Sequence, residues 1–391
     1  MRVLIVHNHY TQPGGEDAVF EAEKALLERM GHEVIPFVED NARLKGMNPL
    51  KAALNAVWSR EAQEKLRRLI RETKPDVAHF HNTFLMVSPA AYYACREAGV
   101  PVVQTLHNYR LICPGALLMR DGRVCEDCMG RAIPWPGAVH GCWRGSRLQT
   151  SVVVAMLTVH RLMKTWTEQV DVYIALTEFV RRKFIGGGLP AEKVVIKPNF
   201  VHPDPGPGEG RGGYALFVGR LSPEKGVRTL LRAWEQLDGK VPLKVVGDGP
   251  LAEEVRRAAA RLPGVEWLGR KGQEEVYALM GDAAFLVFPS EWYEGFPMVI
   301  AEALARGVPI LATALGSQGS IVDHGRTGLL FRPGDPEDLA EKVEWAWTHP
   351  NDLREMGREA RREYEQKYTA EKNYEILMDI YERARATASG T

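Results

Sequence analysis

Residues Phe288–Ala303 read FPSEWYEGFPMVIAEA, and this stretch carries fold and chemistry together. The apolar run Phe285–Phe288 has the length and composition of a buried strand. The loop after it holds Glu294 and Gly295, and Pro297 suits the first position of a following helix, where its missing N–H costs nothing. Glu302 falls on that helix, eight positions after Glu294. The two carboxylates are thus expected at one end of the strand, beside the unpaired amides of Phe296, Met298 and Val299. Carboxylates so placed accept hydrogen bonds from hydroxyls, and a helix N-terminus holds phosphate. Read without that context, they are two surface glutamates, the commonest fate of the residue type.

The same strand–loop–helix unit recurs on both sides. Strands Ala215–Val218, Leu243–Val246, Val265–Leu268 and Pro309–Ala312 alternate with helices Val227–Leu237, Leu251–Leu262, Glu274–Met280 and Met298–Ala305. Nearer the N-terminus, strands Val3–Val6, Val34–Phe37, Val77–Phe80, Val102–Leu106, Val172–Leu176 and Val194–Ile196 are interleaved with helices Asp17–Met30, Ala62–Glu72 (read as exposed) and Pro89–Glu97. Such alternation makes right-handed βαβ units and parallel sheets covered on both faces. Between the two series, His202–Gly213 reads HPDPGPGEGRGG, which supports neither helix nor strand and reads as a linker.

The expected fold class is therefore α/β, with two Rossmann-like parallel-sheet domains: residues 1–201, a linker over 202–213, residues 214–368, and a C-terminal helix over 369–391. The apolar face Tyr368, Tyr374, Ile376, Leu377, Ile380 and Tyr381 fits either packing on its own domain or a return to the first. Such folds bind ligands at the carboxyl ends of their strands and between domains, so a site is expected in a central cleft.

Bulk properties agree with a globular chain of 391 residues, 45% apolar and 26% charged. Lys plus Arg and Asp plus Glu both total 50, so charge gives no pointer to nucleic acid, and none is expected as a partner. MRVLIVHNHY is too short an apolar run for a signal peptide, and Ser151–Val159 falls short of the roughly 20 residues that span a bilayer. A cytoplasmic location is expected.

Phe217–Gly226 reads FVGRLSPEKG, placing Arg220 and Lys225 around a helix start at a strand's carboxyl end. Two cations there make a diphosphate site; alone, the segment fits solvated side chains equally well. Cys113, Cys125, Cys128 and Cys142 stand with gaps of eleven, two and thirteen residues in a loop over 113–142 rich in turn formers. Four thiolates around a Cys-x-x-Cys pair can hold tetrahedral zinc, which is the favoured reading over free thiols, disulfides or an iron–sulfur cluster. Cys95 reads as a core residue. The helix Val152–Leu162 follows Trp143, Arg144 and Arg147, and precedes Lys164 and Trp166. It reads either as a core helix with basic edges or as a peripheral contact for anionic lipid headgroups.

Phe288–Ala303 resembles the Glu–seven–Glu motif of retaining glycosyltransferases of family 4, with its EGF start and EA finish. GRLSPEKG is similar to that family's phosphate-binding turn. MRVLIVHNHYTQPGGEDAV, KVVIKPNFV, VVGDGPL, VEWLGRKGQEEVYALM and HGRTGLLFRPGDPEDLA resemble further segments in the family's order, so the likeness covers most of the chain.

The resemblance implies the GT-B architecture and a donor that is a nucleotide-diphosphate sugar, with UDP or GDP as the nucleotide. It further implies a glycan or lipid-linked glycan acceptor and no catalytic metal. By the same resemblance Arg220 and Lys225 bind the diphosphate, Glu294 the transferred sugar and Glu302 the ribose. His107 sits by the sugar, and Gly14 and Gly15 admit substrate to the backbone. Asn199, Arg270, Lys271, Gly295, Phe296, Pro297 and Met298 line the donor. The implied route is front-face substitution, in which the leaving diphosphate takes the acceptor proton.

Two positions depart from the family pattern. Asn108 stands where Asp or Gly is usual, and Gly316-Ser317-Gln318-Gly319-Ser320 replaces a Gly-Gly-x-Pro-Glu turn. The second leaves the sugar open, and a plain surface turn is the alternative there. Rival functions are a transferase making a soluble disaccharide or its phosphate, a silent sugar-nucleotide binder, and a zinc-stapled interaction module. An epimerase is disfavoured by the Glu–seven–Glu stretch.

Overall fold

The computed structural model describes residues 1–11 and 14–389. Gln12 and Pro13, inside the quoted first loop, and the last two residues of the expected C-terminal helix lie outside the described residues. The chain divides into two compact units: Met1–Leu118 with Cys125–Pro198 and Asn373–Thr391, and Asn199–Lys372 with Met119–Val124.

Strands β1 (Arg2–His9), β2 (Glu33–Asp40), β3 (Val77–Phe80) and β4 (Val102–Leu106) precede a short antiparallel pair, β5 (Met119–Arg120) and β6 (Arg123–Val124); β7 (Val172–Ala175) and β8 (Val194–Ile196) follow. Six of them form one parallel sheet in the order β2-β1-β3-β4-β7-β8. Val3 to Val6 and Val102 and Val103 are fully buried, because helices cover both faces and leave no polar side for alternation to mark.

The second unit repeats the plan with β9 (Ala215–Val218), β10 (Leu243–Val246), β11 (Val265–Gly269), β12 (Phe285–Phe288), β13 (Ile310–Thr313) and β14 (Gly328–Phe331), in the order β11-β10-β9-β12-β13-β14. All pairings are parallel. Strand order reverses between β1 and β3 in the first sheet and between β9 and β12 in the second. These are the crevices where doubly wound sheets take ligands.

Several expectations need correcting. The helix Arg60–Thr73 is exposed on one face only: it buries Ala62, Gln63, Leu66 and Ile70. Pro297 is the residue before the helix Met298–Ala305, not its first member, because its ψ of 97° is extended. The linker is not a free tether. Gly208, Gly210 and Gly212 donate backbone hydrogen bonds to Arg306, Gly281 and Asp282, and Arg306 Nη1 donates to the carbonyls of Pro205 and Gly206.

Of the expected C-terminal apolar face, Leu377, Ile380 and Tyr381 lie on the helix Ala370–Ser389 and, with Ala384, join Val3, Val77, Val103 and Ile174 in the first unit's core. Burying such side chains stabilises by roughly 1.5–3 kcal/mol apiece, enough to hold the helix there. Tyr368 precedes that helix and packs in the second unit's core. The helix Arg147–Leu162 buries Val153, Val154, Met156 and Leu157 and exposes Leu148 and Leu162 at its ends. Among the described residues, no helix is long and apolar enough to cross a membrane.

Candidate active site

In the second unit the two chemistry-bearing segments meet at the strand-order reversal. β9 leads into Gly219 and Arg220, then a tight turn Pro223–Lys225 that ends at Gly226. Gly226 has φ +68°, and a Cβ there would lie 1.8 Å from the Pro289 carbonyl oxygen, just past β12. Only glycine allows both that conformation and that approach. The two loops are then stitched, with Glu291 N–H donating to Glu224 O at 2.8 Å and Thr229 Oγ1 to Glu291 Oε1 at 2.5 Å.

This closure brings Lys225 Nζ to 2.6 Å from Glu294 Oε1. The same oxygen accepts from Ser290 Oγ at 2.7 Å and Trp292 Nε1 at 2.8 Å. Glu294 is 6% exposed, so it is no surface glutamate. The Gly316–Ser320 segment braces the loop and is no surface turn. Ser317 and Gln318 are fully buried; Ser317 Oγ donates to Gly295 O at 3.0 Å, and Gln318 Nε2 to Trp292 O at 3.1 Å and Ser290 O at 3.3 Å. Ser290, Trp292 and Gln318 escaped the sequence reading, since neither spacing nor residue type marks a brace.

Arg220 and Arg270 are exposed, and among the described residues neither has an ion-pair partner. Lys271 pairs with Glu275 at 3.0 Å, and Asn199 is buried with its Oδ1 unpartnered. Gly295, Phe296 and Met298 are half-buried and Pro297 is buried. The helices Val227–Leu237 and Met298–Ala305 both start here, presenting unpaired amides.

Glu302, on the second of these helices, accepts no hydrogen bond at its side-chain carboxyl from any described residue. Burial pushes its carboxyl up from 4.5 to about 7. A carboxyl raised on folding gives stability that is full below the unfolded value and lost as pH rises through the folded one. This carboxyl's contribution to the melting temperature of the ligand-free chain is expected to fall away between about pH 4.5 and pH 7, and Glu302→Gln to flatten the slope there. An unchanged slope in the variant contradicts the assignment.

In the first unit, His7 Nε2 and His9 Nδ1 each lie 2.8 Å from Asp17 Oδ1, and Gly14 N–H donates to Asp17 Oδ2 at 2.7 Å. Gly15 opens the helix Gly15–Arg29, and both glycines are exposed. His107 follows β4, and its Nε2 lies 3.0 Å from His81 Nδ1. Asn108 donates to Glu16 Oε2 at 3.0 Å and accepts from Arg110 N–H at 3.0 Å, so its amide uses both a donor and an acceptor that Gly could not supply.

The cysteine loop is less irregular than its composition suggests, holding the β5–β6 pair and a helix Trp135–His140. No disulfide joins any of the five cysteines, and Cys95 is buried in the core. Pro114 packs on Gly137, and a Cβ on Gly115 would lie 3.2 Å from Cys142 O. Among the described residues, the groups with three metal-binding atoms within 4.8 Å are His7, His9 and Asp17, and Glu23, His79 and His81; the four cysteines are not such a group. Lys197 Nζ already stands 2.6 Å from Glu23, filling the second group with the protein's own cation.

Profile comparison matches residues 207–363 to Glycosyl transferases group 1 and residues 13–205 to Glycosyltransferase Family 4. An uncharacterized glycosyltransferase of Methanocaldococcus jannaschii is 33% identical over 286 residues, 73% of this chain and 76% of that protein. The chain belongs to glycosyltransferase family 4, the group 1 glycosyl transferases. A GDP-mannose-dependent alpha-mannosyltransferase of Corynebacterium glutamicum is 26% identical over 336 residues, 85% of this chain and 71% of that one. The Anabaena protein HepE, solved in complex with UDP, shares the fold over 100% of both chains, with a TM-score of 0.69 at 19% identity.

Proposed function

We propose that the chain transfers a glycosyl group from a nucleotide-diphosphate sugar to a hydroxyl of a glycan or lipid-linked glycan, with retention at the anomeric carbon. The observation that carries this reading is the meeting of Lys225 and Glu294 at the β9–β12 crevice. Arg220 and Lys225 take the diphosphate; the three N–H groups of Lys225 serve phosphate and Glu294 together. The unpaired Glu302 accepts from the ribose hydroxyls, and Glu294 from those of the transferred sugar. Asn199, Arg270, Lys271 and the Gly295–Met298 turn complete the donor contacts. In the first unit, His107, Gly14 and Gly15 take the remaining substrate contacts.

Glu294 Oε1 already accepts from three donors, which makes it a poor nucleophile and favours front-face substitution. The C1–O bond to the diphosphate breaks, the acceptor oxygen bonds to C1 on the same face, and its proton passes to the departing diphosphate. Arg220, Lys225 and the helix N-termini stabilise the charge that leaves, so no divalent metal is needed for it. Relatives named for GDP-mannose or solved with UDP leave both bases in play. Nucleoside diphosphate release from UDP-, GDP- and ADP-sugars tests the reading. Acceptor-dependent release from one donor class is expected, whereas saturable binding without release would mark a silent binder.

Zinc at Cys113, Cys125, Cys128 and Cys142 is proposed on their spacing, a Cys-x-x-Cys pair between two flanking cysteines. Burial pushes the Cys128 thiol up to about 11, and Cys113, Cys142 and Cys125 push it the same way. A divalent cation would offset that cost by binding the thiolates. Purified chain is expected to carry close to one zinc, and Cys128→Ser to lose it and become protease-sensitive over 113–142. Metal-free protein with this loop ordered overturns the proposal.

A further inference from the structure

The first unit buries a chain of charged and aromatic side chains that the donor chemistry above does not use. Glu23 is 1% exposed, and its Oε2 accepts from the Lys197 ammonium at 2.6 Å. Lys197 also donates to Asn373 Oδ1, on the terminal helix, at 3.2 Å. The other Glu23 oxygen lies 2.9 Å from His79 Nδ1 and 3.4 Å from His81 Nε2. His79 is fully engaged: its Nδ1 also meets the Tyr381 hydroxyl, and its Nε2 meets Thr105 Oγ1, each at 2.8 Å.

His81 is not. Its Nδ1 faces His107 Nε2 at 3.0 Å, and its buried Nε2 has no hydrogen-bond partner, only Glu23 nearby. His107 Nδ1 has no partner among the described residues. Burial holds His81 down at about 4 and His107 well below its ordinary value, so near pH 7 both rings are neutral and carry one proton each. Burial by itself would raise Glu23, but Lys197 and His79 outweigh it and keep the carboxyl well below its usual range.

The tautomers follow from that charge. A ring nitrogen 3.4 Å from a buried carboxylate carries the proton, because a lone pair aimed at the anion is repelled and a low dielectric strengthens the effect. With its proton on Nε2, His81 can only accept at Nδ1. The contact between the two rings must then be made by the Nε2–H of His107. Its single proton is committed inward, and Nδ1 is left as an acceptor.

We propose that Glu23, anchored by Lys197 and acting through His81, is the positioning residue that fixes His107 as the Nε2–H tautomer, so that its Nδ1 accepts from a sugar hydroxyl. The ligand half rests on the reading of His107 given under the proposed function; the tautomer is a property of the free protein.

The test is nitrogen-15 NMR of histidine-labelled full chain without ligand, with His107→Gln identifying the His107 signals. The expected spectrum shows a protonated Nε2 and a bare Nδ1 on both His81 and His107 near pH 7. In the paired replacement E23M/K197M no buried charge is left unpaired, and His107 is expected to populate both tautomers. That variant should lose on the order of 10- to 100-fold in kcat/KM, as outer-shell partners typically do, with nucleoside diphosphate affinity unchanged. A proton on His107 Nδ1 in the unaltered chain overturns the proposal, whether or not the paired variant folds. So does a pure Nε2–H tautomer in a folded paired variant. Normal transfer by His107→Ala overturns the ligand half while the tautomer result stands.

Discussion

Replacing Lys225 with alanine is expected to lower glycosyl transfer about 100- to 1,000-fold, the usual cost of deleting one charge-stabilising donor aimed at a transition state. Of the two cations assigned to the diphosphate, Lys225 is the one the fold holds in place, through Gly226, Pro289 and the 2.6 Å contact with Glu294. The chain should still fold. Glu294 keeps its hydrogen bonds from Ser290 and Trp292, so the loss is that of one charge-assisted bond, about 2 kcal/mol, against a typical total of about 5–15 kcal/mol. The signature is a fall in kcat with native denaturant unfolding cooperativity. Near-normal turnover would remove Lys225 from the leaving-group site.

Gly226→Ala should have the largest effect on stability. A side chain at φ +68° costs about 1–2 kcal/mol. The added Cβ must also move the Pro289 carbonyl from 1.8 Å, parting the two loops and breaking the Glu291 N–H to Glu224 O bond. An unsatisfied buried group adds about 1–3 kcal/mol, for a total of roughly 2–5 kcal/mol in urea unfolding. Lys225 moves with the turn, and a displacement of about 1 Å suffices for a further 100-fold loss of transfer. A Gly226→Ala chain as stable and active as the original would mean that the two loops do not depend on this contact.

Most of the fold is legible in the sequence for a physical reason. Strands buried on both faces leave unbroken apolar runs, so the limits read for β3, β4, β8, β9, β10 and β12 coincide with the structure. Helices with a polar face are legible through their period, as in Val227–Leu237. The segments that escaped are short or locally weak: Pro49–Val57, Trp135–His140 and Glu178–Gly186 lack a long apolar stripe. The Glu–seven–Glu stretch is legible as a motif, but its bracing is not. Gln318 supports the Glu294 loop from 24 residues away in sequence, in a segment whose composition reads as a turn. Glu23 and Lys197 stand 174 residues apart, and no local pattern reports that a buried carboxylate has found its cation.

Transfer from a nucleotide-diphosphate sugar by this chain is expected to retain anomeric configuration. Proton NMR of the product, followed from the first turnovers with the donor that releases nucleoside diphosphate and with no divalent metal added, tests it directly. The expected result is one nucleoside diphosphate per bond formed and a product whose anomeric proton shows the donor's configuration. An inverted anomer, or turnover that appears only on adding magnesium or manganese, would contradict it.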